Sequence, residues 1–260
     1  MTNDLPHNAF KAALAKGELQ IGLWCCLADA VAAEICAGAG FDWMLLDSEH
    51  SPNDNRTILA QLQTVQAYPT TAMVRPPTGN AVTVKLLLDI GVQNLLIPMV
   101  DTAEQAKALV SATRFPPEGV RGVATQTRAS RWGRVHHYLE NARQEIGLFL
   151  QVETKAALSN IEEIARVDGV DGIFVGPSDL AATLGYLGEP TRLEVQREIE
   201  AAFRSVRAAG KPIGILAPDE TLARRYIELG ATFVAVGIDT MLLARATSAL
   251  LKRFKTSQKE

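Results

Sequence analysis

Residues 41–54 read FDWMLLDSEHSPND. An apolar run, Trp43 to Leu46, is closed at once by Asp47, Ser48, Glu49 and His50, with Pro52 just beyond. Ionised groups at the edge of a core cost free energy unless they are paired, solvated or bound to a metal. The stretch is therefore either a chance loop or the rim of a site. The adjoining segment, DNRTILAQLQTVQA at 54–67, has the apolar spacing of a helix. A short apolar strand, a polar turn and a helix make one βα unit, and the question becomes whether the unit repeats.

It does. Candidate strands are Ile21 to Leu27, Trp43 to Leu46, Thr71 to Arg75, Asn94 to Val100, Leu148 to Glu153, Gly172 to Val175, Pro212 to Leu216 and Thr232 to Val236. Between them lie helical segments such as DAVAAEICAGAG, NAVTVKLLLDIG and DETLARRYIELG, and TMLLARATSALLKRF closes the chain. Several begin after Asp, Asn or Thr and end in Gly, as capping chemistry requires. This pattern predicts an α/β fold, a (β/α)₈ TIM barrel, rather than an open doubly wound sheet. No Pro/Gly/Ser-rich linker divides the chain, so residues 1–260 read as a single barrel domain. One segment, about 115–145, is too long for an ordinary connection. It carries Arg121, Arg128, Arg131, Arg134, Arg143, His136 and His137. It reads either as a solvated basic insertion or as a cover over the site that meets an anionic substrate or a neighbouring subunit.

Composition narrows the function classes. With 47% hydrophobic, 21% charged and 6% aromatic residues and a formal charge of −3, the chain has the make-up of a globular protein with an aliphatic core. Nothing in this balance points to nucleic acid or an anionic membrane. No apolar run approaches the roughly 18 residues of a membrane span, and the N-terminus has no basic region followed by an apolar one, so a cytoplasmic location is expected. Cys25, Cys26 and Cys36 lack metal-site or disulfide spacing and read as small buried residues.

In a barrel of this kind the working groups stand at the C-terminal ends of the strands. Asp47, Glu49 and His50 follow the second strand, Arg75 ends the third, Gln151 and Glu153 end the fifth, and Ser178 and Asp179 follow the sixth. All should face one mouth. In LFLQVET the period of two sends Gln151 and Glu153 into the lumen and Leu150 and Val152 towards the helices. Glu153 and Asp179, from adjacent units, would then lie close, and two like charges share either a proton or a cation. A pair of carboxylates suits a hard divalent ion, Mg²⁺ or Mn²⁺, with Co²⁺ as a substitute. On spacing alone Glu153 serves as well in a salt bridge inside the barrel, for instance to Arg75, and Asp179 as a helix N-cap. Arg75, before Pro76-Pro77, suits a carboxylate or enolate oxygen, and equally a clamp on one of the acids. His50 beside Asp47, which could fix its tautomer, is a candidate proton acceptor.

The pieces LLDSEHSPND, MVRPP, FPPEGVRGV, LQVET and FVGPSDLAATLGYLG, spread in order from the second to the sixth unit, resemble the HpcH/HpaI aldolase family. The resemblance covers nearly the full length. It implies a class II pyruvate aldolase that breaks or forms 4-hydroxy-2-keto acids through a metal-stabilised enolate of pyruvate or hydroxypyruvate, with an aldehyde as the second partner. It makes Glu153 and Asp179 the metal ligands with Gln151 beside them. Arg75 binds the keto oxygen, His50 with Asp47 handles protons, and Gly176, Pro177 and Ser178 receive the pyruvate carboxylate. From their positions, Leu216 and Ala217, the basic insertion and Asp89 are expected to shape the aldehyde pocket. Asp89 occupies a position that in the family reaches a neighbouring subunit's site, and the family implies a homo-oligomer, often a hexamer built as a trimer of dimers, with the last helix on a partner. Two other readings stay open at this point: a carbon–carbon lyase like the citrate lyase β-subunit or malyl-CoA lyase, and a non-catalytic barrel acting as a binding subunit.

Overall fold

A computed structural model describes residues 4–255. A first helix α1 (Ala9–Ala15) precedes β1 (Gln20–Cys25), α2 (Ala30–Ala37), β2 (Trp43–Asp47), α3 (Asn55–Val65), β3 (Thr71–Arg75), α4 (Ala81–Asp89) and β4 (Asn94–Ile97). Next come α5 (Ala103–Thr113), the short α6 (Tyr138–Asn141) with a 3₁₀ turn (Ala142–Glu145), β5 (Gly147–Val152), α7 (Lys155–Ser159), α8 (Ile161–Ala165) and β6 (Gly172–Val175). The chain continues through α9 (Pro177–Thr183), α10 (Leu193–Ala208), β7 (Ile213–Leu216), α11 (Glu220–Glu228), β8 (Phe233–Ile238) and α12 (Asp239–Lys255). The strands are parallel and close in sequence order, β1 pairing with β8, as the (β/α)₈ reading predicts.

Two apolar layers follow from the period of two along each strand. Leu46, Val74, Leu95, Leu150, Val152, Val175 and Ile215 face the helices and form the larger core. Trp24, Trp43, Leu45, Met73, Leu96, Phe149, Phe174 and Phe233 fill the lumen. Phe10 of α1 plugs its N-terminal end, its ring 5.5 to 5.9 Å from those of Trp43, Phe149 and Phe233. Side-chain caps hold the helices where the sequence places them: Asp29, Asp54, Asn80, Thr102, Thr154 and Asp219 each accept from a first-turn N–H.

Strands β3 and β6 match their expected bounds. Three others stop short of theirs, β5 by one residue at Val152. β1 ends at Cys25 because the N–H groups of Cys26 and Leu27 turn to the Asp239 carboxylate, at 2.9 and 3.1 Å. β4 ends at Ile97 because Pro98 offers no N–H and Met99 takes a left-handed φ of 57°.

The 115–145 segment does not cover the mouth of its own barrel, which corrects the expectation only as far as this chain's own site is concerned. It leaves α5 and returns to β5 at the N-terminal end of the sheet. There Arg128 donates to Ile90 O (2.9 Å) and Gln66 Oε1 (3.0 Å), lying over Gly91, whose φ of 94° and missing Cβ admit the guanidinium. Arg121 is buried, stacked on Phe115 at 4.4 Å and paired with Asp89 at 2.9 Å. Among the described residues no helix is long and apolar enough to cross a membrane.

Candidate active site

Parallel register brings the polar strand ends together. Asp47 and Arg75 are partners across β2 and β3, and Gly176 follows Val175 beside Val152, so it faces Glu153. Gly176 is required there: a Cβ would come within 2.3 Å of Glu153 Oε2. The glycine lets the carboxylate lie flat against the start of α9.

Arg75 is the hub. Its Nε and Nη2 donate to the two oxygens of Asp47 at 2.9 and 2.8 Å, and Nη1 pairs with Glu49 Oε2 at 2.8 Å. The guanidinium lies 4.7 Å from the Trp24 ring centroid, and Trp24 Nε1 also donates to Asp47 Oδ2 at 3.3 Å. The clamp on an acid that spacing allowed for Arg75 is thus formed, twice over. Burial by itself would raise the Asp47 carboxyl, but its bonds from Arg75 outweigh that and hold it below the usual range. Glu49 goes the other way: burial and the charges of Asp47 and Asp179 push it up against the pull of Arg75 and His50.

Glu153 projects into the lumen as its alternation predicts and is 1% exposed. Gln151 Nε2 donates to its Oε2, and Met99 N–H to its Oε1 at 2.9 Å. It makes no ion pair with Arg75. Burial pushes its carboxyl up to about 7, with the charges of Asp179 and Glu49 adding to the rise and the two hydrogen bonds opposing it. Gln151 Oε1 is buried without a partner. Asp179 is exposed in the first turn of α9, whose N-cap is Gly176 with Pro177 at the helix start. It is therefore not the N-cap. Helix geometry leaves the Ser178 and Asp179 N–H groups without intrahelical acceptors at that end.

The expected pairing of Asp47 with His50 is not formed. Asp47 points inward to Arg75, whereas His50 sits three residues on in the turn, with its side chain 69% exposed and Nε2 3.9 Å from Glu49. Asp89 stands apart from this cluster, at the end of α4 before β4, at the opposite end of the barrel. Leu216 ends β7 and packs on the lumen cluster.

Three contributors escape a reading by residue type. Trp24 is legible in principle, since it shares the lumen phase of β1. Glu49 is visible in the turn after β2, yet nothing local marks it as a partner of Arg75. Met99 acts through its backbone, which no side-chain motif encodes. Among the described residues no group of three or more His, Cys, Asp or Glu could hold a metal ion.

A model of the HpcH/HpaI aldolase/citrate lyase family matches residues 20–246. A hydroxypyruvate/pyruvate aldolase of Deinococcus radiodurans is 58% identical over 261 residues, covering 100% of this chain and 94% of that protein. A 4-hydroxy-2-oxo-heptane-1,7-dioate aldolase of Salmonella heidelberg is 53% identical over 253 residues, 97% of this chain and 96% of its own. The crystal structure of an HpcH/HpaI aldolase/citrate lyase family protein from Burkholderia cenocepacia superposes with a TM-score of 0.92 at 38% identity, covering 95% of this chain and 99% of that one.

Proposed function

Because the chain belongs to the HpcH/HpaI aldolase/citrate lyase family, we infer that it is an aldolase, a carbon–carbon lyase acting on 2-keto acids. It cleaves 4-hydroxy-2-keto acids between C3 and C4 into pyruvate or hydroxypyruvate and an aldehyde, and joins them in reverse. What supports the reading is the buried Glu153 carboxylate at the mouth, which feels the charge of Asp179 and acts on Arg75.

The donor set suits a hard divalent ion. Two carboxylates repel each other across a partly dry site, neither makes an ion pair among the described residues, and a buried amide oxygen of Gln151 stands unmatched next to them. We propose that Glu153 and Asp179 hold Mg²⁺ or Mn²⁺, with Co²⁺ as a substitute. When bound, such an ion supplies Lewis-acid chemistry that polarises the keto acid and acidifies C3.

The chain's own residues do the rest. The Ser178 and Asp179 N–H groups, at the positive end of α9 after Gly176 and Pro177, receive the substrate carboxylate. Arg75, fixed by Asp47 and stacked on Trp24, donates to the keto oxygen as negative charge gathers there during C3–C4 cleavage. His50, on the open rim, takes the C4 hydroxyl proton through water and passes it to solvent. Gln151 keeps Glu153 in place, and Leu216 gives the aldehyde end an apolar wall.

Asp89 lies too far down its own barrel to join this site, which supports a homo-oligomer in which it serves a neighbouring subunit. We propose a hexamer arranged as a trimer of dimers. Leu242, Leu243, Leu250, Leu251 and Phe254, exposed along α12, are the surface a neighbouring copy would cover. A cytoplasmic location goes with this reading.

Exchange of the pyruvate methyl protons with deuterated solvent, followed by NMR with Mn²⁺ present, tests C3 acidification without needing the aldehyde. Glu153→Gln and Asp179→Asn should lower the exchange rate by about 10³-fold or more, and Arg75→Ala by about 10²-fold. Wild-type exchange in both carboxylate variants would remove them from the site.

A further inference from the structure

The Arg75 fork commits three of its five N–H groups to acids. The Asp47 carboxylate takes Nε and Nη2 side-on at 2.9 and 2.8 Å. Asp47 cannot leave. It is fully buried, further held by Trp24 Nε1 and the Glu49 N–H, and its carbonyl is tied by Ser51 and Asn53. Glu49 is different. It sits in the turn after β2, its side chain is 16% exposed, and its carboxylate meets Arg75 Nη1 at 2.8 Å and His50 Nε2 at 3.9 Å.

Charge makes the difference matter. With both acids ionised, the Asp47–Arg75–Glu49 group carries net −1, a poor receiver for an oxygen that is itself becoming negative. With Glu49 swung away, the remaining Asp47–Arg75 pair is neutral and both Nη1 N–H groups are free to donate. Asp179 and Asp47 already repel Glu49 where it stands, and the exposed His50 lies beside it, Nε2 3.9 Å from its carboxylate.

We propose that Glu49 is a positioning residue that occupies Arg75 Nη1 in the empty site and yields it to the substrate's keto oxygen, so that this contact sets the affinity for the keto acid. The proposal rests on the reading that Arg75 binds that oxygen. Glu49 thereby keeps the guanidinium aligned between turnovers, at the expense of tight binding.

Oxalate, which carries two adjacent oxygens like the enolate of pyruvate, is the probe, titrated calorimetrically into enzyme loaded with Mn²⁺. Electron paramagnetic resonance first verifies that each variant binds Mn²⁺, and thermal melts that each is folded. Glu49→Gln should tighten oxalate about fivefold and lower the pyruvate KM similarly, with the gain absent from kcat. In an Arg75→Ala background the same substitution should change oxalate affinity less than about twofold; Arg75→Lys serves as the background if Arg75→Ala does not fold. Unchanged or weaker oxalate binding in Glu49→Gln overturns the proposal, and so does equal tightening in the Arg75→Ala background, which would assign the effect to plain charge repulsion. Should Arg75→Ala alone leave oxalate affinity at the wild-type value, the reading of Arg75 itself fails, a result separate from either.

Discussion

The two ends of the barrel lumen are built from the same eight strands and are opposites in how far the polar groups lining them are satisfied. At the N-terminal end Asn8 Nδ2 donates to Asn94 Oδ1 at 2.8 Å, Lys11 Nζ reaches Ile146 O at 2.7 Å, and Phe10 closes the lumen against three aromatic rings. At the C-terminal end, among the described residues, Glu153 is buried without an ion pair, Gln151 Oε1 has no hydrogen-bond partner, and Met99 holds a left-handed backbone. The floor of the lumen completes its own bonding and carries stability, the unpartnered Arg121 Nε and Nη1 and Thr127 Oγ1 lying outside it in the 115–145 segment. The mouth leaves bonding incomplete, and incompleteness is what a ligand can fill.

Phe10 offers the most direct challenge to this division. Its side chain is 1% exposed in a packed aromatic cluster, so Phe10→Ala should cost about 3–5 kcal/mol in a denaturant titration. Aldol cleavage per folded molecule should stay within about twofold of wild type, because nothing at the mouth touches this ring. A large loss of turnover in the folded fraction would show that the two ends are not separate in function.

Next in size is the metal-free protein's response to pH. The Glu153 carboxyl is raised from 4.5 to about 7 by burial, with neighbouring acids adding to the rise. Between these values the folded chain holds a proton that the unfolded chain has released, so stability falls as pH rises through this window and the loss is complete above pH 7. The shift corresponds to roughly 3 kcal/mol. In chelator, Glu153→Gln should therefore be more stable than wild type at pH 8 and similar to it near pH 4. The new amide fits the existing bonds: its Oε1 keeps the Met99 N–H, and after rotation of the Gln151 amide its Nε2 meets the oxygen now unmatched. Equal stability at pH 8 would mean that the Arg75 field offsets the burial of the Glu153 carboxylate.

Most of the frame was legible because it rests on local period and caps. Strand alternation placed Gln151 and Glu153 in the lumen, and Asp54, Asn80 and Thr102 start helices as their type suggests. What failed was contact between distant residues. Asp47 and His50 are near in sequence, yet the strand aims one inward and the turn aims the other out, and the partner of Asp47 comes from 28 residues away. The basic insertion was plain by length and charge, but its destination depended on the pocket that Phe115 and Tyr138 make for Arg121. The helix α1 and its Phe10 plug announce themselves by no motif; a lone phenylalanine in a polar N-terminus matters only because an aromatic lumen awaits it.

The smallest effect concerns Met99, on the incomplete side of the barrel. A non-glycine residue at φ 57° costs about 1–2 kcal/mol relative to the right-handed region, a strain that glycine avoids. Its N–H is what holds Glu153 Oε1 at 2.9 Å, so the strain secures a fixed carboxylate rather than packing, and the side chain is half exposed. Met99→Gly relieves the strain but gains freedom in the unfolded chain, which offsets part of the benefit. The net expectation is stabilisation by about 0.5–1 kcal/mol, read as a higher denaturant midpoint at unchanged slope, with Mn²⁺ affinity retained because the N–H remains. Destabilisation would place the cost of this site elsewhere than in the turn after β4, and loss of Mn²⁺ binding would mean that the Met99 side chain, not its backbone, positions Glu153.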